Sequence, residues 1–104
     1  MSKIAIRMTV EITIGSVAVA TMTTRSCFTG EIGVCYGFSR FEGRPVYGFI
    51  FETGRFIVLT TEGLEQTLRL TGRVCEEVAD YSYAGDAQLK TDFREGFFKR
   101  VFSS

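Results

Sequence analysis

Hydrophobic and polar residues alternate strictly over residues 3–14, which is the most regular pattern in the chain. A period of two, sustained over a dozen mainly β-branched residues, predicts a half-buried β-strand. The next two residues, Gly15 and Ser16, favour a type II′ hairpin turn. We therefore expect residues 3–23 to form a hairpin in which Ile14 pairs with Val17 and Ile12 pairs with Val19.

Residues 34–59 predict an aromatic antiparallel meander with strands at about 32–40, 44–52 and 55–60. The turn signals are Glu42-Gly43 and Thr53-Gly54. Two registers are possible for the first hairpin. A two-residue turn sets Val34, Tyr36 and Phe38 against Phe51, Phe49 and Tyr47. A bulge at Gly43 instead sets Phe51, Phe49 and Tyr47 against Cys35, Gly37 and Ser39.

Both faces of this meander are apolar in either register, so the sheet needs a covering layer on each side. A chain of 104 residues has little material for two such layers. We therefore expect the surplus apolar surface to be covered by a partner, a second subunit or a ligand.

The second half of the chain predicts two helices. Thr61 is a candidate N-cap of the first helix, in which Leu64 and Leu68 form an apolar stripe that Gly72 ends. Residues 78–83 favour a strand. Asp86 is the expected cap of the second helix, whose apolar residues recur every four positions: Leu89, Phe93 and Phe97. The apolar tail, residues 97–102, is expected to dock on the rest of the protein.

These patterns together predict a single α+β domain over residues 1–104. Its expected core is an antiparallel, barrel-like sheet of five to six strands with two helices in the C-terminal half. Hydrophobic residues make up 45% of the chain and charged residues 23%, which is typical of a globular protein.

The charge balance is neutral, with 12 basic and 12 acidic residues, and it lacks the excess of positive charge that attracts nucleic acid. No apolar run is long enough for a membrane span, and the N-terminal sequence does not resemble a secretory signal. Three cysteines without paired spacing, Cys27, Cys35 and Cys75, fit a reducing compartment, so we expect a cytoplasmic protein.

The composition also limits the chemistry. There is no histidine, which removes the commonest general base and most zinc sites. No C-x-x-C pair, dinucleotide-binding fingerprint or P-loop is present. We expect no cofactor and no metal site, and each cysteine is best interpreted as a small buried hydrophobe.

The segment Tyr47-Gly48-Phe49-Ile50 resembles the central strand of cold-shock domains, where aromatic rings on a sheet stack on bases. The resemblance implies that Tyr47 and Phe49 are stacking rings and that Arg44 and Arg55 lie near phosphates. This chain departs from the family because it has no lysine before the motif and no tryptophan on the partner strand.

A longer segment, residues 42–55 together with Leu70-Thr71-Gly72, is similar to short bacterial proteins carried in accessory or mobile genes such as integron cassettes. That resemblance implies a bacterial origin and an adaptive accessory role. It implies no activity and no functional residue.

Three functional hypotheses follow. The first is a non-enzymatic interaction module that self-associates as a homodimer or higher homo-oligomer. Its interface would be a sheet face or the edge of the first strand, and it would present a surface to a protein or small-molecule partner. The second is a small-molecule binder or enzyme with a tyrosine-lined pocket formed by Tyr36, Tyr47, Tyr81 and Tyr83. The third is a cold-shock-like binder of single-stranded nucleic acid, for which the neutral charge predicts weak or absent affinity.

Overall fold

The computed structural model of the chain describes residues 12–102. Within them an antiparallel sheet combines with short helices in an α+β fold. The elements in chain order are β1 Ser16–Ala20, β2 Ile32–Phe41, β3 Arg44–Phe51, β4 Phe56–Thr60, α1 Thr61–Thr67, β5 Leu68–Val74, α2 Glu76–Ala79, α3 Asp86–Arg94 and α4 Lys99–Phe102. The predicted fold class, an antiparallel sheet with helices in the second half of the chain, is confirmed.

The strands of the described sheet are ordered β4-β3-β2-β1-β5, and each neighbouring pair is antiparallel. Strands β4 and β5 are the two edges and do not pair with each other. The sheet is therefore open, and the expected term barrel-like describes it only loosely. Helix α1 links these two edges, because it follows β4 directly and leads into β5.

The expected hairpin at residues 3–23 is wrong where the structure describes it; residues 3–11 of its first strand lie outside the described residues. Residues 12–14 are not in a strand, and Ile12 and Ile14 pack against different apolar clusters. The turn lies one residue earlier than expected, because the Ser16 amide donates to the Thr13 carbonyl and Gly15 has a φ of 98°. Strand β1 pairs with β2 on one side and β5 on the other, which leaves it no free edge for residues 12–14.

The β2–β3 hairpin follows the two-residue-turn register only near its turn. Phe38 pairs with Tyr47 as that register requires, but Cys35 pairs with Phe49 and Val34 with Ile50. The shift arises from a β-bulge that places one extra residue, Tyr36, in β2. The expected pairing of Tyr36 with Phe49 is therefore wrong, and so is the alternative bulge at Gly43.

Both sheet faces are apolar, as the sequence predicts, but the chain covers each of them itself. The front face carries Val17, Val34 and Ile50, which pack with side chains from residues 75–101: Cys75, Val78, Tyr81, Leu89, Phe98 and Val101. The back face carries Cys35, Phe49 and Phe51, which pack with Cys27, Leu64 and Leu68. Helix α1 and the C-terminal segment cover the central part of opposite faces, while Phe38 and Val58 stay more than half exposed.

The helix boundaries differ from the expected ones in three places. Thr60, not Thr61, is the N-cap of α1, and its hydroxyl accepts from the Gly63 amide at 3.1 Å. Gly72 does not end a helix, because residues from Leu68 onward extend as β5 along β1. Residues 78–83 are not a strand, since α2 ends at Ala79 and irregular chain follows.

Helix α3 and the tail are close to expectation. Asp86 is the first residue of α3, while Gly85 holds the cap position without a side-chain hydrogen bond. Phe98 and Val101 are fully buried, which confirms that the tail docks. No helix in residues 12–102 is long and apolar enough to cross a membrane.

Candidate functional site

The bulge at Tyr36 creates an unusual arrangement on the front face. The phenol ring of Tyr36 lies directly over Gly48 of the neighbouring strand. A Cβ atom built on Gly48 would lie 2.4 Å from Tyr36 Cζ and 2.6 Å from its hydroxyl oxygen. Only glycine leaves room for the ring at this position. The ring therefore lies flat on the sheet, with its hydroxyl directed away from the β2 backbone.

A cleft of about 450 Å³ opens beside this ring, between the front face and the irregular chain at residues 81–85. We call it the tyrosine cleft. Its walls are Ile14, Tyr36, Gly37, Phe38, Ser39, Val46, Gly48, Val58, Tyr81, Ser82 and Tyr83. The volume lies within the range of about 300–1,000 Å³ that is typical of small-molecule sites. None of the wall residues is charged.

Two of the three tyrosines in the cleft donate their hydroxyl groups to carboxylates. Tyr81 donates to Asp92 Oδ2 at 2.6 Å, and Tyr83 donates to Asp86. Asp92 accepts a second hydrogen bond from Gln88 Nε2 at 2.8 Å through its other oxygen. Helix α3 therefore supplies the acceptors that orient the tyrosines of the preceding loop.

The third hydroxyl, that of Tyr36, makes no hydrogen bond within the described residues. The residue is only 4% exposed, and its ring packs edge-on against Phe56 and at 5.3 Å from the ring of Tyr83. No fully buried side-chain oxygen or nitrogen in residues 12–102 lacks a partner. The Tyr36 oxygen is therefore reached from the cleft, where it is the polar group available to a ligand.

The environment keeps all three hydroxyls protonated at neutral pH. Burial, reinforced by the charges of Tyr83 and Asp86, raises the pKa of Tyr36 well above its ordinary value. Burial and the hydrogen bond to Asp92 raise the pKa of Tyr81, and the hydrogen bond to Asp86 raises that of Tyr83. These groups can orient a ligand, but they are poor general bases.

The other predicted site residues lie elsewhere. Tyr47 is on the back face, where it lines a separate recess with Ile12 and Pro45. Phe49 is fully buried in the back-face cluster and presents no ring to a base. The Arg44 guanidinium lies 4.0 Å from the Glu62 carboxylate, and Arg55 donates to the carbonyl of Arg25 at 3.2 Å. The structure therefore brings together Tyr36, Tyr81 and Tyr83 but not the residues of the cold-shock resemblance.

Sequence reasoning did not identify Asp86 and Asp92 as partners of the cleft. A signal was present for one of them, because Asp86 follows Tyr83 by three residues and its carboxylate can reach back across the start of a helix. No local pattern links Tyr81 to Asp92, which is eleven residues further on. Only the packing of α3 brings that pair together.

A second recess, of about 540 Å³, is larger but less suited to a ligand. It is lined by Glu52, Phe93, Arg94, Glu95, Gly96, Lys99 and Phe102, and most of its polar side chains are exposed to solvent. No group of three or more His, Cys, Asp or Glu side chains in the described part of the chain is arranged to hold a metal ion. The tyrosine cleft is therefore the best candidate site.

Comparisons with known proteins leave the function to be argued from this geometry. No protein-family model, no curated protein and no solved structure matches the chain. The resemblances to cold-shock strands and to bacterial cassette proteins stay predictions.

Proposed function

We propose that this protein is a small, non-enzymatic binding module that takes a small molecule into the tyrosine cleft. The observation that carries the proposal is the Tyr36 hydroxyl, which belongs to a buried residue, lacks a protein partner within residues 12–102 and faces an aromatic cleft. Because this oxygen opens onto the cleft, a ligand can replace solvent as its hydrogen-bond partner, a net gain of roughly 0.5–1.5 kcal/mol.

The coverage of the sheet also favours a pocket over a large protein interface. Surplus apolar surface would favour a partner, but the central part of each face is covered from within the chain. The raised tyrosine pKa values support binding over catalysis, because protonated hydroxyls donate hydrogen bonds and do not abstract protons.

A fragment screen tests this proposal. Neutral and charged fragments would be screened against the full chain by ligand-observed NMR, with thermal shift as a second readout. We expect hits to lose about 3- to 10-fold in affinity in Tyr36→Phe, which removes one hydrogen bond worth roughly 0.5–1.5 kcal/mol. The matched control is Tyr47→Phe, which removes the same group from the opposite face. A screen without hits, or hits insensitive to Tyr36→Phe, contradicts the proposal.

Self-association is the second candidate, because large apolar side chains of strands β2 and β4 are exposed. Phe38, Phe41 and Val58 are each more than half exposed. Edge strand β4 also contains no charged residue, whereas edge strand β5 carries Arg69 and Arg73. Uncharged edges invite pairing with another chain. Light scattering at micromolar concentration tests this candidate, and a mass of 11.6 kDa at every dilution argues against it.

We further propose that the protein works in the bacterial cytoplasm as an accessory binding protein. The support is the resemblance to cassette-encoded proteins and the presence of free, buried cysteines at positions 27, 35 and 75. Nucleic-acid binding stays the least favoured function, because Phe49 is buried and the net charge is zero.

A further inference from the structure

The tyrosine cleft has a chemical preference that follows from the hydroxyl groups already in use. Tyr81 and Tyr83 already donate their hydroxyl groups to Asp92 and Asp86. Among the three tyrosines, only the Tyr36 hydroxyl is therefore available to donate a hydrogen bond to an anionic ligand. Ser39 and Ser82 add hydroxyls to the walls but no charge. The site therefore lacks the cluster of donors and positive charges that binds a carboxylate or phosphate.

The charges around the cleft are negative. Residues 76–86 contain four acidic residues and no basic one, and only Glu77 of these forms an ion pair within the described chain, with Arg100 at 3.2 Å. Asp86 accepts the hydrogen bond of Tyr83, which is a wall of the cleft. Two basic residues keep their positive charge, since Arg40 donates to the neutral Gly43 carbonyl and Lys90 lies 6.0 Å from the centre of the Phe56 ring, but the acidic residues of this segment outnumber them.

The helix dipole does not reverse this balance. The start of α3 lies at Asp86 and carries a partial positive charge of about +0.5. The carboxylate of Asp86 contributes a full negative charge at the same place, so the net local charge stays negative. The aromatic walls act in the same direction, because the face of each ring attracts cations. Donation of a phenol hydroxyl to a carboxylate polarises the group and makes its oxygen and ring more electron-rich.

We propose that the tyrosine cleft selects small organic cations, specifically an alkylammonium head group held against the rings of Tyr36 and Tyr83, with a hydroxyl or carbonyl on the same molecule bonded to the Tyr36 hydroxyl. This inference rests on the proposed small-molecule function and adds the class of ligand. A quaternary head group suits the site, because it needs no hydrogen-bond acceptor and gains from cation–π contact.

Three probes of nearly the same shape test the charge preference: choline, its neutral isostere 3,3-dimethylbutan-1-ol, and the anion 3,3-dimethylbutanoate. Binding to the full chain would be measured by NMR titration at low ionic strength. We expect choline to bind about tenfold more tightly than the neutral alcohol, which corresponds to about 1.4 kcal/mol, and the anion to bind weakest.

The variants separate charge from shape. Asp86→Asn should weaken choline binding several-fold and leave the neutral alcohol unchanged. The control Glu95→Gln removes one negative charge from the separate recess and should change neither affinity. Equal affinity for choline and the alcohol, both lost in Tyr36→Phe, would overturn the cation preference while the small-molecule function stands. Tightest binding of the anion would also overturn it. So would the absence of binding by all three probes at about 20-fold above the concentration at which a fragment hit binds, an excess that corresponds to about 1.8 kcal/mol.

Discussion

Substitution of Gly48 by alanine tests the packing on which the tyrosine cleft depends. The added Cβ would lie 2.4 Å from Tyr36 Cζ, 2.6 Å from the hydroxyl oxygen and 2.8 Å from Cε1. All three distances are far below normal contact, so the ring must leave its position. Because Tyr36 is 4% exposed and packs between Phe56 and Tyr83, the ring can move towards the cleft only by giving up these contacts.

The magnitude follows from two opposing terms. Overpacking a well-filled site costs roughly 1–3 kcal/mol. Alanine is favoured over glycine within a strand by roughly 0.5–1 kcal/mol, because glycine loses more backbone freedom on folding. We therefore expect Gly48→Ala to lower the free energy of unfolding by about 1 kcal/mol, within a range of about 0–2.5 kcal/mol for the difference between these terms. A domain of this size has only about 5–15 kcal/mol in total, so the change is easily measured.

The assay is urea unfolding of four chains: the wild type, Gly48→Ala, Tyr36→Leu and the double variant. Leucine keeps the site apolar but lacks Cζ and the hydroxyl, so in that background Gly48→Ala should be neutral or stabilising. Tyr36→Phe is the matched control, because the Cζ contact at 2.4 Å remains and the full cost should persist. An equal cost of Gly48→Ala in the wild-type and Tyr36→Leu backgrounds would refute the reasoning, since the cycle would show no coupling between the two residues.

Four further outcomes are expected. Thr60→Ala should lower the free energy of unfolding by about 1 kcal/mol in a urea melt through loss of the α1 cap, whereas Thr61→Ala should have a much smaller effect. Burial raises the pKa of the Cys35 thiol to about 11, so a thiol-specific colorimetric reagent at pH 8 should label it rapidly only after unfolding, and fast labelling of the folded chain would contradict its burial. The raised pKa values of Tyr36, Tyr81 and Tyr83 mean that the folded state keeps protons that the unfolded state loses. The free energy of unfolding should therefore decline as pH rises above about 10, the ordinary pKa of tyrosine. A flat profile in pH-dependent melts would count against this expectation. Asp86→Asn should lower the pKa of Tyr83 in an ultraviolet titration, because a neutral amide replaces the charged carboxylate that accepts its hydrogen bond.

The sequence by itself determined the local elements whose pattern is strong. Strands β2, β3 and β4 lie within about a residue of their expected positions, because aromatic and β-branched runs separated by glycine turns favour a meander irrespective of context. Helix α1, helix α3 and the docked tail were also predicted, since their apolar residues recur at helical spacing or cannot stay in water. Tyr36, Tyr81 and Tyr83 were recognised as possible pocket walls from their residue type.

Tertiary structure decided how these elements meet. Residues 68–74 carry too weak a pattern to be distinguished from a helix end, and they form β5 only because β1 offers a free edge there. The same pairing excludes the hairpin expected from residues 12–19. The bulge at Tyr36 also depends on a long-range contact, because the Tyr36 ring fits on the sheet only where Gly48 of the next strand lacks a side chain. The tyrosine cleft requires α3 to bring Asp92 to Tyr81, and no local propensity records a contact between residues so far apart in the chain.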